Sequence, residues 1–338
     1  MAVLKYGLIG MGRWAREVHI PVLNQIEGAE IVALSSRSEE NLKKAAEVAK
    51  GEPRLYQDYR QLLQDPEVEA VVICTPNHTH AKIAKEALEA GKHVFCEKPL
   101  ALTLEEHVEL SRLAEERGLV LQVGFELRHA PKFRRLHRMV KEGELGSVGL
   151  FWCHILRGPL LPGWRADKSQ SGGIIVEVLS HYLDLFNWLS GGRPARLFCR
   201  ADILGQHFDH DRLSIFVEYE SGPRAVLIAS FFCPAVKEVK FGAVGDKGAV
   251  EASIIERRMA VAYEDGRREE LHFPPPEGVE EPGYPGTYFQ HLSFIRCVKE
   301  GEAPEAGARE SALALAMALA AERSVESGGM VEVPEPGV

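Results

Sequence analysis

Lys98 is the residue of this chain whose position most favours chemistry. It follows the apolar run His93-Val94-Phe95-Cys96, within the tripeptide Glu97-Lys98-Pro99. In an open parallel sheet the ligand crevice lies outside the carboxyl ends of the strands, so a charged side chain there faces a bound cofactor. An ammonium group in that place can hydrogen-bond a reacting oxygen and stabilise alkoxide charge. Without its surroundings, a lysine in an ordinary strand-to-helix loop is the simpler interpretation.

A glycine turn lies between the first predicted strand and the first predicted helix. It runs from Gly10 to Ala15 and fits the pattern G-x-G-x-x-A, which indicates dinucleotide binding when it has this context. Gly10 allows a tight turn, Gly12 lets the backbone approach a pyrophosphate, and the helix N-terminus offers free N–H groups. We therefore predict that Gly10, Gly12, Arg13 and Trp14 bind a dinucleotide.

The end of the second predicted strand bears on the choice between the two nicotinamide cofactors. An acidic residue there binds the ribose hydroxyls of NAD, whereas a 2′-phosphate repels it. Ser36 and Arg37 occupy this place, and no carboxylate occurs before Glu39. Because Arg37 can pair with a phosphate, the sequence favours NADP(H) and leaves NAD(H) open. The alternative is that Arg37 is a solvated loop residue.

A third loop on the same crevice follows the fourth predicted strand and reads Thr75-Pro76-Asn77-His78-Thr79-His80. We expect Thr75, Pro76, Asn77 and His80 to contact the cofactor, together with Glu97 and Lys98. The alternative is that Pro76 and Asn77 only start a helix, because both residue types suit that place.

Polar residues form a stripe on the helix predicted from Ile174 to Leu189. At 100° per residue Glu177, His181 and Asp184 fall close together, and apolar side chains cover the opposite face. The helix carries no lysine or arginine, which favours a site over a solvated face, although the periodicity alone fits both. A carboxylate four residues from an imidazole can orient the ring and raise its basicity.

The remaining histidines and cysteines do not predict a metal site. Six cysteines are scattered and form no close pair, so most are expected to be buried free thiols. His207 and His210 have only Asp209 and Asp211 beside them, and a surface hairpin is the preferred interpretation.

The elements that would position these residues alternate between strand and helix in the first third of the chain. The expected architecture is α/β: a doubly wound parallel Rossmann sheet, followed by an α+β domain with a mostly antiparallel open sheet. We place the boundary between residues 1–123 and 124–338. The predicted strands of the first part are Val3 to Ile9, Glu30 to Ser35, Arg54 to Tyr56, Ala70 to Thr75, His93 to Glu97 and Leu119 to Val123.

Helices are expected between these strands and strands dominate the second part. The predicted helices of the first part lie near 13–26, 38–50, 58–64, 78–90 and 103–117. After a helix rich in arginine, whose Lys132 is expected on a solvated face, we predict a strand from Val148 to Leu156 and the helix from Ile174. Further strands are expected near 195–203, 212–220, 224–232, 237–244, 248–255, 259–264 and 331, with late helices near 287–300 and 308–326.

Length and composition allow two domains and exclude several classes of protein. The chain has 338 residues, of which 45% are hydrophobic and 26% charged, and no segment is long and apolar enough to span a bilayer. The net charge of −9 argues against a general nucleic-acid surface. No basic leader with a cleavage site is evident at Met1, so we expect a cytoplasmic protein.

Taken together, these motifs resemble those of the Gfo/Idh/MocA family, which includes glucose-fructose oxidoreductase and inositol dehydrogenase. The resemblance covers nearly the whole chain and keeps the family's order of motifs. It rests on Gly10-x-Gly12-x-x-Ala15, Thr75-Pro76-Asn77-x-x-His80, Glu97-Lys98-Pro99, Trp164-Arg165, Gly172-Gly173, His181-x-x-Asp184, Gly245-Asp246-Lys247-Gly248 and Ser327-Gly328-Gly329. Relatives usually have aspartate where this chain has Glu177, and glycine where it has Leu179.

The resemblance implies a Lys-Pro step that is often cis and a C-terminal sheet that usually joins subunits into a homodimer or homotetramer. We expect a hydride transfer between a nicotinamide and a carbinol carbon of a sugar, polyol or related cyclic hydroxy compound, without a metal. Lys98, His181 and Glu177 are the expected catalytic residues. The expected substrate contacts are Arg128, Trp164, Arg165 and Asp184.

Two other functions stay open at this point. Some relatives oxidise a sugar transiently with NAD and cleave a glycosidic bond, which would make the chain a hydrolase on the same fold. A cofactor-binding sensor or regulatory subunit without catalysis is the second.

Overall fold

The computed structural model describes residues 3–159, 163–205, 209–282 and 285–337. The chain divides into two compact units. The first comprises Met1–His129, Pro275–Ala312 and Gly337–Val338, and the second comprises Ala130–Pro274 and Leu313–Pro336. The boundary of functional domains at residue 123 stays a prediction. By packing, residues 275–312 belong with the N-terminal unit, a return of the chain that periodicity does not reveal.

The first unit is built on a six-stranded parallel sheet with the order β3-β2-β1-β4-β5-β6. Its central strands are apolar runs buried on both faces, as a sheet covered by helices on both sides requires. This order is that of a doubly wound dinucleotide-binding fold, so the predicted architecture is confirmed. The strands are β1 Leu4–Ile9, β2 Ala29–Ser35, β3 Arg54–Tyr56, β4 Ala70–Ile73, β5 His93–Glu97 and β6 Leu121–Gly124.

Helices connect these strands, and several begin or end at the residue types expected for caps. Thr103 accepts a hydrogen bond from the Glu106 N–H at the start of one helix, and Gly118 ends that helix in the left-handed region. The helices are α1 Ile20–Leu23, α2 Glu39–Val48, α3 Tyr59–Gln64, α4 His80–Glu89, α5 Leu104–Arg117 and α6 Glu126–His129.

The predicted helix 13–26 is shorter and less regular than expected. A π-helical turn, Ala15–His19, precedes the single α-helical turn of α1. Likewise, a 3₁₀ turn, Asn77–Thr79, precedes α4. Amphipathic periodicity places apolar residues on a face but does not distinguish these backbone variants.

A nine-stranded sheet with the order β14-β13-β12-β11-β7-β10-β9-β8-β15 forms the second unit. All neighbouring strands are antiparallel except β7 and β10, which confirms the mostly antiparallel sheet. One strand, Arg268–His272, was missed because its residues are charged and polar. The strands are β7 Val148–Leu156, β8 Pro194–Asp202, β9 Arg212–Tyr219, β10 Arg224–Ser230, β11 Glu238–Gly245, β12 Gly248–Ser253, β13 Arg258–Tyr263, β14 Arg268–His272 and β15 Val331–Glu332.

The helices of this unit are α7 Pro131–Lys141, α8 Lys168–Ser171 and α9 Ser180–Ser190. The expectation that Lys132 is solvated is wrong. Its side chain is 1% exposed, and Nζ donates hydrogen bonds to the carbonyl oxygens of Ser253, Ile254 and Glu256. Three carbonyl acceptors compensate the burial of the ammonium group, which is why this lysine can lie inside.

Two late helices, α10 Thr287–Glu300 and α11 Ala308–Ser327, complete the chain. Phe294 and Ile295 of α10 join the core cluster that contains Leu4, Tyr6 and Leu8 of β1. Among the described helices, none is both long and apolar enough to cross a membrane.

Candidate active site

The glycine turn after β1 leaves open space where a dinucleotide would be held. Gly10 has a φ of 94°, and a Cβ there would lie 2.8 Å from the backbone carbonyl carbon and oxygen of Cys74. At Gly12, in contrast, a Cβ would meet no atom within 4 Å. Gly10 is therefore required by the protein's own backbone. Gly12 keeps clear the side from which a pyrophosphate would approach, so the turn fits the cofactor.

The side chains that follow this turn point to two different environments. Arg13 is exposed and pairs with Glu17 at 2.6 Å, one helical turn away. Trp14 donates from Nε1 to Glu97 Oε1 at 3.1 Å. The indole thereby links the start of the first helical segment to the end of β5, next to Lys98. Both residues remain candidates for cofactor contacts.

The end of β2 presents a cation and no competing carboxylate. Arg37 is exposed and makes no ion pair within the described residues, while Ser36 Oγ accepts from the Ser38 N–H at 3.3 Å. The first acidic residues, Glu39 and Glu40, each pair with a lysine one turn later in α2. A phosphate near Arg37 would therefore meet no unpaired carboxylate in the first turn of α2.

His80 joins two loops at the carboxyl edge of the sheet. Its Nδ1 lies 2.7 Å from the Pro99 carbonyl oxygen, and its Nε2 lies 2.7 Å from that of Thr75. The ring is 1% exposed. These contacts give His80 a structural role, because it holds the loop after β4 against the loop after β5. Asn77, 2% exposed, starts the 3₁₀ turn.

Glu97, the last residue of β5, is held as a carboxylate beside Lys98. Oε1 accepts from Trp14 and also from His19 Nε2 at 2.9 Å. Burial acts to raise the pKa of Glu97, but the hydrogen bonds from His19 and Trp14 and the positive charge of Lys98 outweigh it, so the pKa is lowered. A Cβ on Gly124 would lie 2.9 Å from Oε1, which is why β6 ends in glycine.

The Lys98–Pro99 peptide bond is cis, in agreement with the family resemblance. Lys98 itself is partly exposed at the carboxyl edge of the sheet.

The sequence analysis missed two buried histidines behind Glu97. His19 Nδ1 lies 2.8 Å from His291 Nε2 of α10, and both rings are fully buried. His19 was treated as an ordinary residue of the predicted helix 13–26. A histidine between two apolar residues, here Val18 and Ile20, is the one signal that could have drawn attention to it.

Arg128, an expected substrate contact, is only 3% exposed. Its guanidinium donates to the carbonyl oxygen of Glu305, between α10 and α11, at 2.6 Å and to that of Glu310, in the first turn of α11, at 3.5 Å. These contacts give Arg128 an anchoring role within the first unit.

In the second unit the polar stripe predicted on one helix is mostly buried. A π-helical turn, Ile175–Leu179, carries Glu177, and α9 carries His181 and Asp184. Glu177 is 5% exposed and Asp184 1%, whereas His181 is partly exposed. The alternative of a solvated helix face therefore does not describe these carboxylates.

Glu177 is paired with a residue from the motif that precedes the glycines. Arg165 Nε donates to Glu177 Oε1 at 3.0 Å, and the guanidinium carbon lies 4.5 Å from the centre of the Trp164 ring. The expected substrate contacts Trp164 and Arg165 are thus joined to the expected catalytic residue Glu177. Cation–π stacking and an ion pair together hold the guanidinium in place.

The turn that begins this helix rests on a group of charged side chains, which we call the lysine cluster: Lys168, Asp209 and Glu322. Lys168 Nζ lies 2.7 Å from Glu322 Oε2 and 3.6 Å from Asp209 Oδ2. Asp209 Oδ1 also accepts from the Ile174 N–H at 3.0 Å. The cluster thereby fixes the first residue after Gly173.

One ligand atom each from Asp209, His210 and Glu322 lies within 4.8 Å of the others, a spacing that a metal ion could use. Sequence reasoning did not find this group because Glu322 lies in α11, far from His210 along the chain. The Lys168 ammonium already supplies a cation there. His207, which was considered together with His210 in the sequence, lies outside the described residues.

Comparison with known families agrees with this arrangement. Residues 4–125 match a family model described as an oxidoreductase family with an NAD-binding Rossmann fold, and residues 133–251 match the GFO/IDH/MocA C-terminal domain. The chain belongs to the GFO/IDH/MocA family. The predicted enzyme class, a nicotinamide-dependent oxidoreductase, is confirmed at this level.

Individual relatives and solved structures match most of the chain or nearly all of it. A myo-inositol 2-dehydrogenase of Thermotoga maritima is 28% identical over 98% of this chain and 99% of its own length. An uncharacterized oxidoreductase of Bacillus subtilis is 31% identical over 73% of this chain and 72% of its own length. The crystal structure of an oxidoreductase domain protein from Kribbella flavida superimposes with a TM-score of 0.90 at 24% identity, covering 99% of this chain and all of that one.

Proposed function

We propose that this protein transfers a hydride between a nicotinamide and a carbinol or keto carbon of a sugar, polyol or related cyclic hydroxy compound. The observation that carries the proposal is Lys98, partly exposed at the carboxyl end of β5 and beside a Rossmann glycine turn that is open at Gly12. The relative named as a myo-inositol 2-dehydrogenase supports a cyclic polyol as the first substrate to test.

The nicotinamide ring, when bound, supplies or accepts the hydride. Gly10, Gly12, Arg13, Trp14 and the loop at Thr75 would hold the dinucleotide. Lys98 would donate a hydrogen bond to the reacting oxygen and stabilise its negative charge during oxidation.

His181 would take the hydroxyl proton in oxidation and return it in reduction. Glu177, held by Arg165, would orient His181 or bind a neighbouring substrate hydroxyl, and Asp184 would bind a further hydroxyl.

Turnover of a panel of inositols, sugars and keto-sugars, followed by cofactor absorbance, tests this function. Lys98→Met and His181→Ala should each lower kcat about a hundredfold or more while the cofactor still binds. Lys85→Met and His272→Ala, at exposed positions of α4 and β14, serve as matched controls. Near-normal turnover in either site variant contradicts its role. Release of a leaving group without net cofactor turnover would indicate a glycosidase instead.

We also infer a preference for NADP(H) over NAD(H). Arg37 is exposed, without an ion pair among the described residues, and no carboxylate follows β2 before Glu39. Ser36→Asp should shift the ratio of kcat/KM for the two cofactors toward NAD by about tenfold or more, because the carboxylate repels the 2′-phosphate. An unchanged ratio contradicts the assignment.

Assembly into a homodimer or homotetramer through the second sheet is the remaining part of the proposal. Three apolar side chains are exposed on its neighbouring strands: Leu150 of β7, Ile228 of β10 and Val244 of β11. Leu150 and Val244 are register partners, and Ile228 lies opposite His154, four residues farther along β7. Exposed apolar patches on a protein surface are typical of protein interfaces. Light scattering should show an oligomer for the wild type and a smaller species for Ile228→Lys. A monomeric wild type would contradict the proposed assembly.

A further inference from the structure

Behind Lys98, three buried side chains from three separate elements form a continuous chain of hydrogen bonds. We call it the histidine chain: His291 of α10, His19 of the π-helical turn and Glu97 of β5. His291 Nε2 lies 2.8 Å from His19 Nδ1, and His19 Nε2 lies 2.9 Å from Glu97 Oε1. The two rings are fully buried, and the Glu97 side chain is 14% exposed.

The acceptors of this chain determine where its protons lie. A carboxylate only accepts, so His19 must carry its proton on Nε2 in order to donate to Glu97. Nδ1 of a neutral His19 is then an acceptor, and His291 must donate to it from Nε2. Trp14 adds a second donor to the same Glu97 oxygen, so Glu97 receives two N–H groups.

The far end of the chain fits this assignment. Nδ1 of His291 is buried and has no hydrogen-bond partner among the described residues. If His19 were instead the donor to His291, Nδ1 of His291 would carry an unpaired buried N–H, which is rarer in proteins than an unpaired acceptor. Both histidines are therefore neutral, with the proton on Nε2 in each.

The groups around the chain also favour neutral histidines. Burial is the largest cause that lowers the pKa of His291 well below its usual value. Tyr6 and Phe95 pack against the His291 ring, and burial raises the pKa of the Tyr6 hydroxyl, so neither supplies a charge. The Lys98 ammonium faces Glu97 and favours its ionised form.

We infer that His19 and His291 are positioning residues: as fixed neutral tautomers they hold Glu97 ionised and oriented, and Glu97 in turn holds the adjoining Lys98 at the end of β5. The consequence for catalysis rests on the proposed role of Lys98, whereas the tautomers themselves do not.

The first test reads the tautomers directly and needs no enzyme activity. Histidine side-chain ¹⁵N shifts of the full-length protein, assigned with His19→Gln and His291→Gln, should show both rings neutral and protonated on Nε2 from about pH 6 to 8, around the ordinary histidine pKa. A positively charged His19, or Nδ1 protonation of either ring, overturns the inference even if the dehydrogenase activity is present.

The second test compares two replacements of His291. Gln places an N–H donor where Nε2 lies, so His291→Gln should keep kcat within about threefold. His291→Leu removes the donor to Nδ1 of His19, so neither the tautomer nor the orientation of the His19 ring is fixed any longer. We expect kcat to fall about tenfold or more with little change in KM.

Phe294→Leu, one turn along α10 in the same core, is the control for lost packing and should keep kcat close to the wild-type value. Equal loss of kcat in the Leu and Gln variants of His291, or a comparable loss in Phe294→Leu, overturns the positioning role. If Lys98→Met is active, the proposed function fails while the tautomer measurement still decides the assignment of the histidines.

Discussion

In each of the two units a glycine precedes a π-helical turn, at the start of a helix that carries proposed functional residues. The two glycines serve different purposes. Gly12 leads into the π-helical turn Ala15–His19, and Gly173 leads into the π-helical turn Ile175–Leu179. A Cβ on Gly12 would meet nothing within 4 Å, whereas a Cβ on Gly173 would lie 2.4 Å from Asp209 Oδ2. The first glycine keeps space for a ligand, and the second admits a side chain of the protein itself.

The polar groups that support the two turns also differ in kind. In the histidine chain of the first unit, as we infer it, His291 donates to His19 and His19 donates to the Glu97 carboxylate, so Glu97 is the one charged member. The lysine cluster of the second unit is ionic, with Lys168 bridging two carboxylates that are themselves close together. The comparison shows that a glycine before a helix indicates a ligand site only when a Cβ added there would meet no protein atom.

The largest expected effect is a loss of cofactor affinity when Gly12 is replaced. Gly12→Val should weaken dinucleotide affinity about a hundredfold or more, about 2.7 kcal/mol, because the side chain fills the space of the pyrophosphate. The melting temperature should change little, since no protein atom is displaced. Gly149→Val, at an exposed glycine of β7 with equally open Cβ space, is the control. An unchanged cofactor Kd in isothermal titration would break the comparison.

Gly173→Ala should act on stability instead. The residue has a φ of 86°, and its Cβ would displace Asp209 from the lysine cluster, so unfolding free energy should fall by about 2 kcal/mol. Gly191→Ala, also at positive φ but with open space around the Cβ, isolates the strain and should cost about 1 kcal/mol. Denaturant titration of both variants measures the difference, and equal losses would show that the contact with Asp209 is unimportant.

Mild acid should destabilise the first unit through its buried neutral histidines. Burial lowers the pKa of His107 to about 4, while its hydrogen bond to the Ala308 carbonyl opposes the shift. Between this value and about 6.5 the unfolded chain binds the extra proton, so stability falls as pH falls, by about 1.4 kcal/mol per pH unit.

His107→Gln keeps a donor for Ala308 and removes the titration. Its unfolding free energy should therefore decrease less between pH 7 and pH 5.5 than that of the wild type. Exposed His78, replaced by glutamine, is the matched control and should leave the slope unchanged. A wild-type slope in His107→Gln would contradict the assignment.

The smallest expected effect is the loss of stability when Lys168 of the lysine cluster is replaced. Burial acts to lower the pKa of Lys168, but Glu322 and Asp209 outweigh it and the pKa is raised. The stabilisation is therefore complete below the ordinary lysine pKa and is lost as pH rises through the higher folded value. Lys168 is half exposed, so Lys168→Met should cost only about 0.5–1 kcal/mol.

Denaturant titration at pH 8 measures that loss. Lys85→Met, which breaks the exposed pair with Glu109, is the control and should cost less. If Lys168→Met is as stable as the wild type, the cluster does not support the turn before α9.

The sequence predicted the parts of this protein that depend on periodicity and on neighbouring residues. Buried apolar runs predicted the six parallel strands, and the glycine turn after β1 predicted the NAD-binding Rossmann fold that the family model describes. It did not predict features that depend on contacts between residues far apart in the sequence. Lys132 is exposed by helical periodicity, but the carbonyl oxygens around Ser253 and Ile254 draw it inside.

In the candidate site, too, residues with a local sequence signal were predicted and residues brought together only by folding were not. Lys98 and Glu97 were recognised from their place at the end of a strand. Glu97's partner His19 is close to it only after folding, and His291 comes from the last third of the chain. π-helical turns likewise depend on packing that periodicity does not encode.

The return of residues 275–312 to the first unit has a consequence for how the protein is made. The carbonyl oxygen of Ala306 accepts from the Val123 N–H on β6, Gly307 pairs with Gln122, and α10 supplies His291 and Phe294. A nascent chain that has emerged from the ribosome only to residue 129 therefore has an uncovered edge strand and an unfinished core. The cofactor domain can mature only after nearly all of the chain has been translated, and a truncation that keeps only the N-terminal third should not yield a stable dinucleotide-binding fragment.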